Sequence, residues 1–537
     1  MANAYKTPGV YVEEISTLPA SVAQVATAIP AFIGYTEKAE KLNGDPITGP
    51  HRITSLLEYE SLFGGPEPET TITVAVSEDD DGKRTVKAIE PSAKSIFLMY
   101  YGMKMYFMNG GGPCYIVSVG NYKDEDGNTI TISDSDLEGG LISLEKEDEP
   151  TLIVFPDGPN IARESSYYTL QSASLAQCNK LKDRFSIIDL HMSGDDPAEK
   201  FRNSLSSDYL KYGAAYYPNL KTTIGYFYKD GDVMVDFPDS QTETIYTLAQ
   251  SDIDNWPSDS DDSDTGLSGN QKTELAAAIA GKEYATEEDF KGAFPSSIMK
   301  DTKIAALVTA AETTRTVADK SLDNIKDENN ELYNLISVEL DQLFITLPPS
   351  STMAGVYARV DNDRGVWKAP ANVTLTGVIE PSEKITHEAQ ENLNIDPTSG
   401  KSINAIRAFT GKGVLVWGAR TLAGNDNEWR YIPVRRLFNM VEESVKKATE
   451  FVVFEPNDAN TWVRVKAMIE NYLTGLWRAG ALAGAKTDQA FFVNVGLGTT
   501  MTAQDILEGR MIIEIGMAAV RPAEFIIIRF SHKLQES

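Results

Sequence analysis

Two short apolar runs, TLIVF (151–155) and FSIIDL (185–190), flank a helix-length segment near 164–182, and no other feature narrows the possible folds as far. Apolar runs of this length read as strands buried on both faces, so strand, helix, strand at this spacing predicts a parallel α/β unit. Upstream, a helical stretch at 94–108 (KSIFLMYYGMKMYFM), a glycine turn (NGGGP) and the strand CYIVSV extend the pattern. The expected fold class is α/β (α+β), and at roughly 150 residues per domain a chain of 537 residues holds about three or four folding units.

The last 190 or so residues carry the clearest periodicity. A buried strand is expected at 414–417 (VLVW). Pro433 then opens a helix whose apolar stripe is Val434, Leu437, Phe438, Val441, Val445 and Ala448, with Glu442/Lys446 and Glu443/Lys447 spaced as favourable pairs. FVVF (451–454) reads as a strand. A second helix at 461–478 has the stripe Trp462, Val465, Ile469, Tyr472, Leu473 and Leu476, and Arg464, Asn471 and Arg478 fall seven apart on the other side. AFFVNV (490–495), MIIEI (511–515) and EFIIIRF (524–530) are further strand candidates. At the other terminus Pro8, Gly9 and Pro19 bracket the alternating run Val10-Tyr11-Val12-Glu13-Glu14-Ile15, an extended strand with no hairpin partner nearby.

Between 226 and 345 the character changes. SDIDNWPSDSDDSDTG (251–266) reads as a solvated loop, and helical stretches follow at 271–281 and 297–315. The expected organisation is an N-terminal extended arm (1–20), an outer α/β domain (21–225), an inserted variable acidic domain (226–345), a C-terminal core module with a mixed sheet (346–520) and a C-terminal strand or arm (521–537).

Net charge is −29, which repels nucleic acid and anionic lipid. Its distribution is uneven. Residues 1–350 hold 28 Lys and Arg against 57 Asp and Glu, whereas residues 351–537 hold 21 of each. An acidic block suits an outward-facing surface, and a balanced block suits a packed, contact-making module. Two cysteines, Cys114 and Cys178, make neither a disulfide framework nor a four-thiolate metal site. No stretch reads as a secretory signal or a membrane span.

No catalytic constellation stands out. The string from Gly480 to Thr487 nearly spells a phosphate-binding loop, but Ala485 replaces its second glycine and it follows a helix instead of preceding one. Gly400-Lys401-Ser402 lacks the leading glycine, since Ile395 stands there. His51, His191, His387 and His532 are too scattered for a local metal pair, and the acidic clusters at 78–82 and 124–128 fit Asp-Gly hairpin turns better than a calcium loop. No catalytic, cofactor-binding or metal-ligating residue is expected.

The string TPGVYVEE (7–14), followed by AIPAFIGYTEKA (28–39), resembles the opening of contractile tail sheath proteins of phages and phage-tail-like injection particles. The resemblance continues through NGGGPCYIV (109–117), YGAAYYPNLK (212–221), MAGVYARVDNDRGVWKAPAN (353–372) and GKGVLVWGARTLAG (411–424). It is densest in YIPVRRLFNMVEESV (431–445), FVVFEPND (451–458), LTGLWRAGALAG (473–484) and RPAEFIIIRF (521–530). What it implies is a structural subunit that polymerises as stacked six-fold rings around an inner tube and contracts, without nucleotide, to drive the tube through a target envelope. The implied partners are further copies of the chain, the inner tube protein, and baseplate and terminal cap proteins, with neither nucleic acid nor membrane insertion. Assembly is expected in the bacterial cytoplasm, the product being a phage tail or a released injection particle.

In that family extended terminal arms add strands to a sheet in the C-terminal domain of neighbours. Here the candidate arms are Val10 to Ile15 and the run Phe525, Ile526, Ile527, Ile528, Arg529 and Phe530. Arg464, Asn471 and Arg478 are the candidate contact to the tube or to a neighbour. The rival readings are an α/β enzyme with a site assembled over long range, and a passive surface-layer or adhesin protein.

Overall fold

The computed structural model describes residues 22–78, 83–192, 194–236, 242–258, 265–282, 284, 286–298, 301–316 and 320–529. Two compact units divide the chain. One takes in the described residues up to Glu67, Ser95–Ile224 and those from Phe344 onward; the other is Pro68–Lys94 with Gly225–Leu343.

The first unit is built on eight strands: β1 (Pro30–Thr36), β2 (His51–Ile53), β3 (Cys114–Asn121), β4 (Leu152–Val154), β5 (Phe185–Asp189), β6 (Gly213–Tyr217), β7 (Ile403–Phe409) and β8 (Gly413–Val416). Their order is β8-β7-β6-β5-β4-β1-β3-β2. All inner pairings are parallel, and only the edge strands β2 and β8 run antiparallel. Alternate residues feed two cores. Ala31, Ile33 and Tyr35 of β1 join Tyr115 and Val117 on one face, while Phe32 joins Cys114 and Ile116 on the other. The apolar runs in the sequence are continuous because both faces are covered.

Five helices complete the parts of this unit that bear on assembly: α1 (Met99–Met108), α2 (Glu164–Leu181), α3 (Ser350–Arg364), α4 (Ile432–Thr449) and α5 (Ala459–Arg478). Helix α2 connects the parallel pair β4 and β5 and packs Leu170, Leu175 and Cys178 on one face, whereas α1 and α3 cover the other with Met103, Tyr106, Met353 and Tyr357. Buried Asp157 fixes the start of α1. Its carboxylate accepts hydrogen bonds from the backbone of Tyr35, Leu98 and Met99 at 2.7, 2.5 and 2.9 Å. Only glycine fits at position 34, where an added Cβ would lie 2.3 Å from a carboxylate oxygen of Asp157.

A further core joins α4, α5 and the antiparallel hairpin β9 (Phe491–Val495) and β10 (Ile513–Met517). Along α4, Val434, Leu437, Val441 and Val445 are buried; along α5, Val465, Ile469, Leu473 and Leu476 are. Of the two expected pairs on α4, Glu443–Lys447 forms at 3.4 Å, while Glu442 turns to Arg435 at 2.8 Å.

Several expectations are corrected. Residues 346–520 are not a separate module, because β7 and β8 extend the sheet begun by residues 30–217; the sheet that remains to the C-terminal part is a two-stranded hairpin, not a mixed one. FVVF is no strand. Glu450–Val452 forms a single 3-10 turn off the end of α4, and Phe454 adopts a left-handed φ of 71°, ahead of Pro456, which cannot donate to a ladder.

In the second unit, residues 68–94 supply the hairpin Thr73–Glu78 and Arg84–Ile89; Met234–Asp236 pairs with its first strand and Lys320–Ser321 pairs in turn with Met234–Asp236, so the insertion does not stand on 226–345 alone. A smaller core gathers Leu248, Ile253, Leu267, Leu275, Phe290 and Leu307. The acidic stretch is therefore not wholly a solvated loop. Helix Gln250–Asp254 buries Ile253 in that core, while residues 259–264 lie outside the described residues.

Candidate assembly surfaces

The polypeptide leaves β10 along the body of its own unit. Ala518 donates to the carbonyl of Ala490 and accepts from Ala483, at 2.8 and 2.7 Å, and Val520 donates to Ala481 at 3.2 Å. Four residues later comes one more tie. Glu524 accepts from Arg420 Nε at 2.9 Å and Nη2 at 2.7 Å, from Asn394 Nδ2 at 2.7 Å and from the Tyr431 hydroxyl at 3.1 Å. Arg420 is 3% exposed and Glu524 21%. Burial alone would raise the carboxyl's pKa, but the guanidinium, with Asn394 and Tyr431 also donating, holds it below the ordinary carboxylate range.

Past Glu524 every described side chain points to water. Phe525, Ile526, Ile527 and Ile528 are 67%, 80%, 78% and 70% exposed. Residues 521–529 join no sheet among the described residues, and Phe530 lies outside them; the strand expected at 524–530 is one that pairs with a neighbouring copy. Four consecutive large apolar residues left uncovered cost free energy in water. The other candidate arm, Val10 to Ile15, also lies outside the described residues.

Hairpin β9–β10 is the complementary feature. It has two strands only, and among the described residues no further strand pairs with either outer edge. One face rests on α5, with Val493 buried; on the other Phe492 is 49% exposed and lies over Gly516. Two-stranded sheets are marginal, and open edges present unpaired N–H and C=O groups that accept an added strand.

Arg464, Asn471 and Arg478 all stand exposed on the outer side of α5, as their spacing requires. Arg464 is partly engaged, 3.8 Å from Glu455 and over the Phe451 ring at 5.3 Å. Two features have no local signature in the sequence. One is the turn before α5, where Phe451, Val453 and Phe454 are 42%, 62% and 103% exposed. The other is the Arg420–Glu524 tie, whose partners lie 104 residues apart. The capping of α5 does have such a signature: Asp458 accepts from Thr461 N at 3.0 Å, and Asn457 accepts from Trp462 Nε1 at 2.7 Å.

The near-motifs prove to be structural. Lys401 is buried and donates to the carbonyls of Arg202 and Leu205; His191 sits with Nε2 2.8 Å from the Ile161 carbonyl; both thiols are buried. Among the described residues no group of three or more His, Cys, Asp and Glu side chains is placed to hold a metal, and no helix is long and apolar enough to cross a membrane.

Residues 424–533 match the family model of the phage tail sheath C-terminal domain, and residues 300–422 that of the phage tail sheath protein central domain. Among solved structures, 99% of the chain is similar to 100% of a chain in the helical sheath of the anti-feeding prophage in its contracted state, with 30% identity and a TM-score of 0.57. It is similar over 99% of both chains to the contracted PVC sheath complex of an extracellular contractile injection system, with 28% identity and a TM-score of 0.55. The tail sheath protein of Enterobacteria phage T4 is 29% identical over 132 residues, 24% of this chain and 19% of that one. The chain spans only a minor part of its curated relatives, 19% to 30% of the length of three of them. Likeness along the whole of a sheath subunit at 30% identity, with two adjoining sheath-domain matches, means that the chain belongs to the contractile tail sheath family.

Proposed function

We propose that the chain is the structural subunit of a contractile sheath, polymerising as stacked hexameric rings around an inner tube and contracting to drive that tube through a target envelope. The observation that carries this is the exposed run Phe525 to Ile528, held at its root by Glu524, on a chain whose hairpin β9–β10 pairs with no further strand among the described residues. Strand addition from one copy to the next satisfies both. The run gains main-chain partners and cover, and the hairpin gains the strands it lacks. A head-to-tail contact of this type closes into a ring where the rotation permits and otherwise propagates as an open helix.

Residues 10–15 are the second arm, and Arg464, Asn471 and Arg478 face the tube or a neighbouring copy. The acidic insertion lies outward. Contraction then needs no bound nucleotide: rigid units swing into a packing with more contacts while the arms keep neighbours joined, and a baseplate supplies the trigger. The particle is a phage tail or an extracellular injection system, assembled in the bacterial cytoplasm with tube, baseplate and cap proteins.

Deletion of residues 1–17 tests the arm reading. Circular dichroism and thermal melting should match the full chain, while electron microscopy should find no tubes. Tubes formed by the deleted chain, or loss of its fold, would refute strand exchange through that arm.

A further inference from the structure

The four ties on Glu524 do more than the end of a chain needs. Arg420, Asn394 and Tyr431 come from three separate segments, and Arg420 is itself fixed from behind, its Nη1 donating to Gly424 O at 3.2 Å and its backbone N–H to Asn404 Oδ1 at 2.8 Å. The pocket is thus set before Glu524 arrives. Upstream, the nearest main-chain anchor is Val520 on Ala481; downstream, residues 525–529 are exposed. Glu524 therefore marks where the arm starts.

We propose that the Arg420–Glu524 pair is the root clamp of the C-terminal arm, fixing the point and direction at which the arm leaves and hence which neighbour it reaches. This rests on the reading of 525–530 as an inter-subunit strand. The length of the leash supplies the physical reason. With the clamp shut, the run Phe525 to Ile528 begins directly at the surface of the body. With it open the arm starts from Val520, and four more residues lengthen the leash by about 13 Å at ~3.3 Å per residue. A longer, freer leash lowers the effective concentration of the arm at its acceptor and lets it reach wrong acceptors. Arg420 and Glu524 are positioning residues; neither needs to touch the neighbour.

Two variants separate this role from a merely stabilising one. Glu524→Gln removes the charge and keeps the shape. The double substitution Arg420→Met with Glu524→Met removes both charges, so no lone buried ion threatens the fold. A chain ending at Glu524 serves as the arm control. Nitroxides at Lys412→Cys and Ala523→Cys report the clamp in the monomer, the two native thiols being buried. The expected result is a narrow distance distribution for the clamped chain and a broad one for both variants, with a critical concentration for tube formation raised at least about tenfold. The chain ending at Glu524 forms no tubes. If that chain polymerises normally, the arm reading fails and the clamp with it. If it does not polymerise but both variants form tubes at the unaltered concentration, the arm stands and the clamp is refuted. An unchanged distance distribution in both variants refutes it as well.

Discussion

Arg436 grips Asp361 with both terminal nitrogens, Nη1 at 2.9 Å and Nη2 at 2.5 Å from the two carboxylate oxygens, and neither side chain is more than 6% exposed. The same guanidinium donates to the carbonyl of Thr27 at 2.7 Å and lies over the ring of Tyr357 at 4.6 Å. One residue of α4 is thereby joined to α3 and to the segment that leads into β1.

Removing one partner strands the other as a lone buried ion, which costs about 3–5 kcal/mol. Asp361→Ala is therefore expected to lose about that much in urea unfolding of the monomer, and Arg436→Met combined with Asp361→Leu to lose much less. A single-variant loss below about 1 kcal/mol would place the pair in the class of exposed ion pairs and contradict its burial.

Phe454 invites the opposite change. Its φ of 71° is uncommon for an aromatic residue, and at 103% exposure it gains no burial within the chain to offset the strain. A left-handed backbone costs an ordinary residue roughly 1–2 kcal/mol, whereas asparagine takes that conformation more readily. Phe454→Asn should therefore leave the monomer's stability unchanged or raise it by about 0.5–1 kcal/mol, read from the melting midpoint. A clear destabilisation would mean that the ring makes contacts its exposure does not reveal.

Much of this architecture is written locally. The α2 crossover, the first hairpin strand and the stripes of α4 and α5 each depend on periodicity within about 20 residues and appear where the pattern puts them, while the second hairpin strand, expected at 511–515, forms two residues later at Ile513–Met517. What periodicity does not show is where a segment finds its partner. FVVF has the composition of a strand, but a 3-10 turn and the left-handed Phe454 take its place, and EFIIIRF, expected to pair with a neighbouring copy, joins no sheet among the described residues. Strands β7 and β8 raise the converse difficulty: β8 pairs with β7, but the strand β6 that β7 joins lies nearly 190 residues upstream, beyond anything spacing can show. The tie of Glu524 to Arg420 is invisible for the same reason.

The clamp on Glu524 should have a one-sided pH response. Because its carboxyl is held below the ordinary glutamate value of 4.5, the tie is at full strength above that value and is lost as the pH falls through the lower, folded-state value. The nitroxide distance between Lys412→Cys and Ala523→Cys should hold steady from about pH 7 to about pH 5 and broaden only under stronger acid. Glu524→Gln should be broad throughout. Broadening of the unaltered clamp near pH 6 would show that the carboxyl is not held down as its partners require.

The exposed face of α5 separates two arginines of unlike standing. Arg464 already has Glu455 and the Phe451 ring beside it, whereas Arg478, two helical turns further on from Asn471, has no ion-pair or ring partner among the described residues. In the monomer, Arg464→Glu sets a new carboxylate against Glu455 and should cost up to about 1 kcal/mol, the scale of exposed pairs; Arg478→Glu sets an anion at the C-terminus of α5 and should cost a similar ~0.3–1 kcal/mol. Assembly separates the two. If this face meets an acidic tube or an acidic neighbour, the unpaired charge at 478 is the one free to engage it, so Arg478→Glu should weaken co-pelleting with tubes more than Arg464→Glu does, and the defect should shrink as salt screens the contact. Co-pelleting of the double variant at the unaltered level would show that the stripe only faces solvent, and the contact to the tube would then have to be sought on another surface of the chain.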